Sequence, residues 1–183
     1  TQVNQLFQQL NTSVYSDARF YTYKFIDRNC TTMVADKINT TLGKEYIKAT
    51  DINQSYREIL YPYMTDFYMK LGIQLIFGAK VDQPAVRLFL PYEFKKSIAA
   101  TTVNGIKLEQ SNTTILEARK IDLPFNWLNS IYSLLGALVI LVILNKKVLK
   151  ISYFIAVGLF GIFFSLVGFY SLHEEIMWNY NIL

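Results

Sequence analysis

The sequence predicts an α+β domain followed by a two-helix transmembrane hairpin. Three observations carry that expectation. Apolar residues recur at helical spacing in several separate segments of residues 1–124, and short β-prone runs lie between turn signals near residues 103–120. The 183-residue chain is 52% hydrophobic and 17% charged, an apolar excess for one soluble domain. That excess is concentrated in two uncharged stretches, residues 125–145 and 151–173, of 21 and 23 residues, each matching the ~20 residues that cross a hydrocarbon core. The domain boundary is expected at Leu123-Pro124, giving domains 1–124 and 125–183.

The elements follow in order. Val3, Leu6, Phe7 and Leu10 form one helical stripe. Residues 15–26 are aromatic-rich and extended in character, with Phe20, Tyr21, Tyr23 and Phe25. A helix is expected over 31–42, with Val34, Ile38 and Leu42 on one face and Asn29 as its N-cap. Pro62 fits the first turn of a third helix running toward Gly78, with Met64, Phe67, Tyr68, Leu71 and Leu75 as apolar members. Residues 78–84 read as a loop and 91–100 as a short helix. Asn104-Gly105 and Ser111-Asn112 are turn signals flanking β-prone runs at 106–108 and 113–116.

The two uncharged stretches are expected to fold back as an antiparallel hairpin, with Gly158, Gly161, Ser165 and Gly168 as a close-packing stripe. Trp127 and Trp178 suit interfacial anchors. The connecting loop holds Lys146, Lys147 and Lys150 and no acid, which predicts a cytoplasmic loop and places residues 1–124 and the tail from His173 on the opposite side. Such a domain needs an export signal; none opens the chain, so the sequence predicts a piece of a longer protein.

The chain has one cysteine, Cys30, and one histidine, His173. A lone thiol forms no disulfide within its own chain, and one Cys with one His supplies no zinc site. No metal or cofactor is expected, and no Gly-rich phosphate loop or basic nucleic-acid stripe is present. Cys30 follows the expected N-cap, so it lies where free N–H groups favour a thiolate, and the N–H groups of Cys30 and Thr31 are placed to hold an oxyanion. The other reading is a buried structural cysteine. A nucleophile needs a base, and His173, followed by Glu174 and Glu175, is the one imidazole in view.

Three segments resemble, in order, the Bacteroidetes-type lipoprotein N-acyltransferase family. Tyr21-Thr22-Tyr23-Lys24-Phe25-Ile26-Asp27-Arg28-Asn29-Cys30-Thr31-Thr32, with Asp36 after it, is similar to that family's aromatic-flanked Asn-Cys motif. Phe77-Gly78-Ala79-Lys80-Val81-Asp82 followed by Leu88-Phe89-Leu90-Pro91 resembles its Gly…Asp…Phe-Leu-Pro stretch. His173…Asn179-Tyr180-Asn181-Ile182-Leu183 resembles its motif after a membrane helix. The family commonly has an acid before the Asn and an Arg after the Thr pair, where this chain has Arg28 and Met33.

The resemblance implies the C-terminal part of a permuted papain-like (NlpC/P60-like) thiol domain, with the base-bearing Gly-His strand before Thr1. It implies an extracytoplasmic thiol domain anchored in the inner membrane. The implied activity is transfer of a fatty acyl chain from a membrane phospholipid, through a Cys30 thioester, to the N-terminal amine of a diacylated lipoprotein. Asn29 would set the loop geometry, Thr31 and Thr32 would support the helix start, and Tyr21 and Tyr23 would line an acyl groove. His173, Asn179 and Asn181 would close the site from the membrane side. The rival expectations are a papain-like thiol hydrolase of the cell envelope and a non-enzymatic membrane-anchored assembly module.

Overall fold

Helices account for most of the regular structure in the computed structural model, which describes residues 1–50, 53–116 and 124–179. Among the described residues there are seven α-helices and one two-stranded sheet, an α+β composition. The chain divides into two compact units: residues 1–54 with 84–116, and residues 55–83 with 117–183. The segment 55–83, expected within the soluble domain, therefore groups with the apolar helices, and Leu123 at the expected boundary lies outside the described residues.

The first unit opens on α1 (Gln2–Val14), as the Val3-Leu6-Phe7-Leu10 stripe predicts. The aromatic segment that follows is not a strand. It makes a 3-10 turn at Asp17–Arg19 and then a tight loop closed by Lys24 and Arg28, which exchange N–H···O bonds of 3.0 and 3.2 Å. That loop delivers Asn29 to the start of α2 (Cys30–Leu42), which ends at Gly43 with φ 74°. Glycine adopts this left-handed C-cap geometry without Cβ strain.

Asn39 in α2 organises the return of the chain. Its Oδ1 accepts from the N–H of Tyr46 (3.0 Å) and Ile47 (2.8 Å), and its Nδ2 donates to the Ile47 carbonyl (2.7 Å). Ile47 is thereby placed with Ala35 and Leu88 in a small core, against which Ile38, Phe94 and Ile98 pack. Phe94 and Ile98 come from α5 (Pro91–Ala100), which starts on its proline as the sequence predicts. Strands β1 (Thr102–Val103) and β2 (Ile106–Lys107) then form an antiparallel hairpin, turning through Asn104 and Gly105 with φ of 51° and 83°, the positive pair that a two-residue primed turn demands. The β-prone run at 113–116 forms no strand. Ile115 and Leu116 are exposed, and an extended segment without a ladder partner has nothing to pair its backbone.

In the second unit, α3 (Tyr56–Leu60) is capped by Ser55 and runs into a 3-10 turn at Tyr61–Tyr63. The single helix expected from Pro62 does not form. Met64 is extended, with ψ 115°, and α4 (Phe67–Ile76) starts anew after Asp66. A second 3-10 turn, Ala79–Asp82, replaces the expected loop after Gly78.

The apolar C-terminal region also differs from expectation. The first uncharged stretch yields α6 (Ile131–Leu144), 14 residues and about 21 Å long, short of the ~30 Å hydrocarbon thickness. Asn126 explains the late start: its Oδ1 accepts the N–H of Leu128 and Asn129, locking a 3-10 turn at Trp127–Asn129. Asn145, with φ 45°, ends the helix. The second stretch yields α7 (Lys147–Gly168), 22 residues, the one described helix long and apolar enough to cross a membrane. The stripe expected to face α6 lies open at two positions, since a Cβ added at Gly158 or Gly161 meets nothing within 4 Å. Helix α7 packs instead against α4.

Candidate functional site

Cys30 is the first residue of α2, and its thiol is exposed. The cap before it is built by Asn29 and Thr32. Asn29 Oδ1 accepts the Thr32 N–H at 3.0 Å, and Thr32 Oγ1 accepts the Asn29 N–H at 2.8 Å. This reciprocal box satisfies two backbone donors that a helix start otherwise leaves open. It engages Thr32 and not Cys30 or Thr31, so their N–H groups point out of the helix end without an intrahelical acceptor. Thr31 is buried, and its hydroxyl lies 4.0 Å from the Cys30 sulfur.

Asn29 does a second job. Its Nδ2 donates to the carbonyls of Phe25 and Phe89, both at 2.7 Å. The residue is 3% exposed, and all its amide capacity faces protein. The Asn-Cys motif is thus pinned to the Phe-Leu-Pro segment, 60 residues away in sequence. Arg87 ties the same segments, donating to the Asp27 carbonyl at 3.1 Å and pairing with both oxygens of Asp36 at 3.2 and 2.9 Å.

Beside this helix start lies an open, largely apolar groove of about 500 Å³ between α1 and α2, lined by Leu6, Leu10, Met33, Val34 and Ile38, with Arg28 and Lys37 also facing it. Met33 and Val34 stand one turn beyond Cys30, on the faces that adjoin it. Tyr21 and Tyr23 do not line the groove. Both are exposed, and the Arg28 guanidinium lies 5.4 Å from the centre of the Tyr21 ring.

The other motif residues meet in the second unit. Gly78 forms a backbone bridge with Asn179 and donates to the Glu175 carbonyl at 2.8 Å. A Cβ at Gly78 would stand 1.8 Å from the Met177 oxygen, so only glycine fits this approach. Asn179 is buried and its Nδ2 donates to the Phe164 carbonyl in α7 at 2.8 Å. Lys80 pairs with Glu174 at 2.7 Å. His173 lies with Nδ1 3.9 Å from Oε2 of the buried Glu175, under the stacked ring of Tyr170. Asn181 lies outside the described residues.

Sequence reasoning missed the hub of this junction, Arg57. Its guanidinium holds Asp82 at 2.6 and 3.2 Å and donates to the carbonyls of Ile73, Phe77 and Gly78 and to Gln74 Oε1. Nothing in the local pattern marks it, since its partners lie 16 to 25 residues on. The structure thus sorts the motif residues into two groups: Asn29, Cys30 and Thr31 with Phe89 in the first unit, and Gly78 and Asp82 with His173 and Asn179 in the second.

Compared with known proteins, the chain matches no family model, no curated sequence and no solved structure.

Proposed function

We propose that the chain is the thiol-bearing part of a membrane-anchored acyltransferase of papain-like type, with Cys30 as nucleophile. The observation that carries the reading is the exposed thiol at the first residue of α2, on a helix start held by Asn29 from two directions. A preorganised helix start offers the Cys30 and Thr31 N–H groups to a developing oxyanion at no cost of reorganisation. The thiolate attacks an ester carbonyl of a phospholipid. The lysophospholipid alkoxide leaves with the proton given up by the Cys30 thiol, and a thioester remains on Cys30. The N-terminal amine of a lipoprotein then attacks the thioester, forming an amide and returning the thiol. Anchorage favours this chemistry, because a donor and an acceptor that both reside in lipid meet the thiol at high effective concentration.

Helix α7 supports the membrane half of the reading. Just 6% of its most apolar stretch is buried inside the protein, so its side chains suit lipid. Lys147 and Lys150 occupy its first turn, where the helix dipole disfavours cations. Membrane orientation supplies a reason for them, with the lysines on the cytoplasmic side of the inner membrane and the residues after Gly168 on the periplasmic side. In the multi-pass form of the reading, α6 and the turn before it enter the same bilayer.

Intact-protein mass spectrometry of the full chain incubated with phospholipid tests the proposal. The expected result is a fatty-acyl mass increment that hydroxylamine removes and that Cys30→Ala abolishes. No increment, or one that persists in Cys30→Ala, overturns it.

A further inference from the structure

The second unit carries a groove that the thiol chemistry does not use. It is open, about 820 Å³, and lies between the start of α4 and residues 124–132. Its walls are tied together: Tyr68 in α4 bonds through its hydroxyl to Ser133 Oγ at 2.6 Å and through its N–H to Asn129 Oδ1 at 3.3 Å. The shape is therefore built into the unit.

One wall is aromatic. Phe125, Trp127 and Tyr132 form a mutual cluster with ring centres 5.1 to 6.1 Å apart, and all three stay exposed. They sit at the N-terminal end of apolar α6. Aromatic rings at the end of an apolar helix belong at headgroup depth, where one face meets acyl chain and the polar edge meets water. The other wall is the first turn of α4, with Asp66 and Lys70 one turn apart. Among the described residues neither is in an ion pair. Lys70 Nζ stands 4.8 Å from the centre of the Tyr61 ring.

This wall presents one cation and one anion about 5–6 Å apart at Cβ. A purely anionic headgroup would gain Lys70 and be repelled by Asp66. A headgroup with a phosphate followed by an ammonium matches both charges in order. We propose that this groove holds one zwitterionic, amine-bearing phospholipid. Its phosphate meets Lys70, its ammonium meets Asp66, and the upper part of its acyl chains lies on Phe125, Trp127 and Tyr132. The inference rests on the membrane placement of α6 and α7 and not on Cys30.

The test is native mass spectrometry of the full chain in mild detergent, with phosphatidylethanolamine or phosphatidylglycerol of matched chains added. Wild type is expected to retain one phosphatidylethanolamine in at least tenfold preference. Lys70→Ala should weaken retention of that lipid about tenfold, the loss of one charge-assisted contact, and Lys70→Arg should restore it. Asp66→Asn, which keeps a good N-cap residue, should weaken phosphatidylethanolamine alone and so erase the preference. Equal retention of the two lipids by wild type overturns the proposal, and so does indifference to either substitution. Rescue by Lys70→Arg distinguishes lost charge from lost fold. Acylation of Cys30 does not involve Lys70 or Asp66, so failure of the thiol reading leaves this result intact, and the reverse also holds.

Discussion

Asn29 and Arg57 are both buried polar hubs, one in each unit, and they hold their surroundings by different physics. Asn29 is neutral and short. Half of its work is local, the box with Thr32 three residues on, and half is distant, the bond to the Phe89 carbonyl. Arg57 is charged and long, and it reaches distant partners: Asp82, Gln74 and three backbone carbonyls. The neutral hub leaves the next residue, Cys30, exposed at an unencumbered helix end. The charged hub closes a junction, drawing the Gly78 turn under the tail that carries His173. The neutral hub leaves a helix start open, while the charged hub ties a helix to a turn through an ion pair.

Removing the charge is the strongest way to break that contrast. Arg57→Ala removes one donor from Asp82 and from each of three carbonyls, and should cost about 3–4 kcal/mol, read as a fall in the denaturation midpoint of the full chain. Gly78→Ala attacks the same junction sterically. With a Cβ 1.8 Å from the Met177 oxygen, the tail must move, at a cost of about 2–3 kcal/mol, and hydrogen exchange should rise at Gly78 and Trp178 while α2 stays protected.

The first unit gives a sharper test, because the two jobs of Asn29 separate. Asn29→Ser keeps a capping oxygen and loses the amide donors, costing about 1–2 kcal/mol. Asn29→Asp also keeps the cap, but turns a carboxylate toward the Phe25 and Phe89 carbonyls and should cost more than Asn29→Ser. If Asp proved the milder change, the cap alone would be what matters.

The smallest effect concerns the capping box of α3. The Ser55 N–H, at 2.7 Å, and the Ser55 hydroxyl hold the Glu58 carboxyl below the ordinary glutamate value of 4.5. The folded value lies below the unfolded one. The stability is therefore present above the ordinary value and lost as pH falls through the folded value. Glu58 is fully exposed, so Glu58→Gln should change the neutral-pH stability little and mainly flatten the acid limb of the melting-temperature profile.

Much of this was legible beforehand where the cause is local. The apolar stripe of α1, the Asn29 cap of α2, the proline start of α5 and the Asn104-Gly105 turn each rest on residues a few positions apart, and each is where the sequence predicts it. The motif segments were legible as segments, but their pairing was not. Asn29 meets Phe89 through its side-chain amide and Gly78 meets the 175–179 tail through its backbone, contacts that leave no periodic trace. Of the expected membrane pair, one helix of spanning length is seen among the described residues, for a related reason. Hydropathy counts uncharged residues, but Asn126 spends its side chain on backbone N–H groups and delays α6, leaving α7 as the single described helix of spanning length.

By itself, then, the sequence determined the helix starts, the lone thiol at one of them and the apolar end of the chain, because capping and periodicity act over one or two turns. Tertiary structure decided which segments share a unit, that Arg57 is the hub of one of them and that residue 78 must be glycine. Those outcomes depend on polar groups and backbone atoms brought together across tens of residues, where packing alone sets the partner.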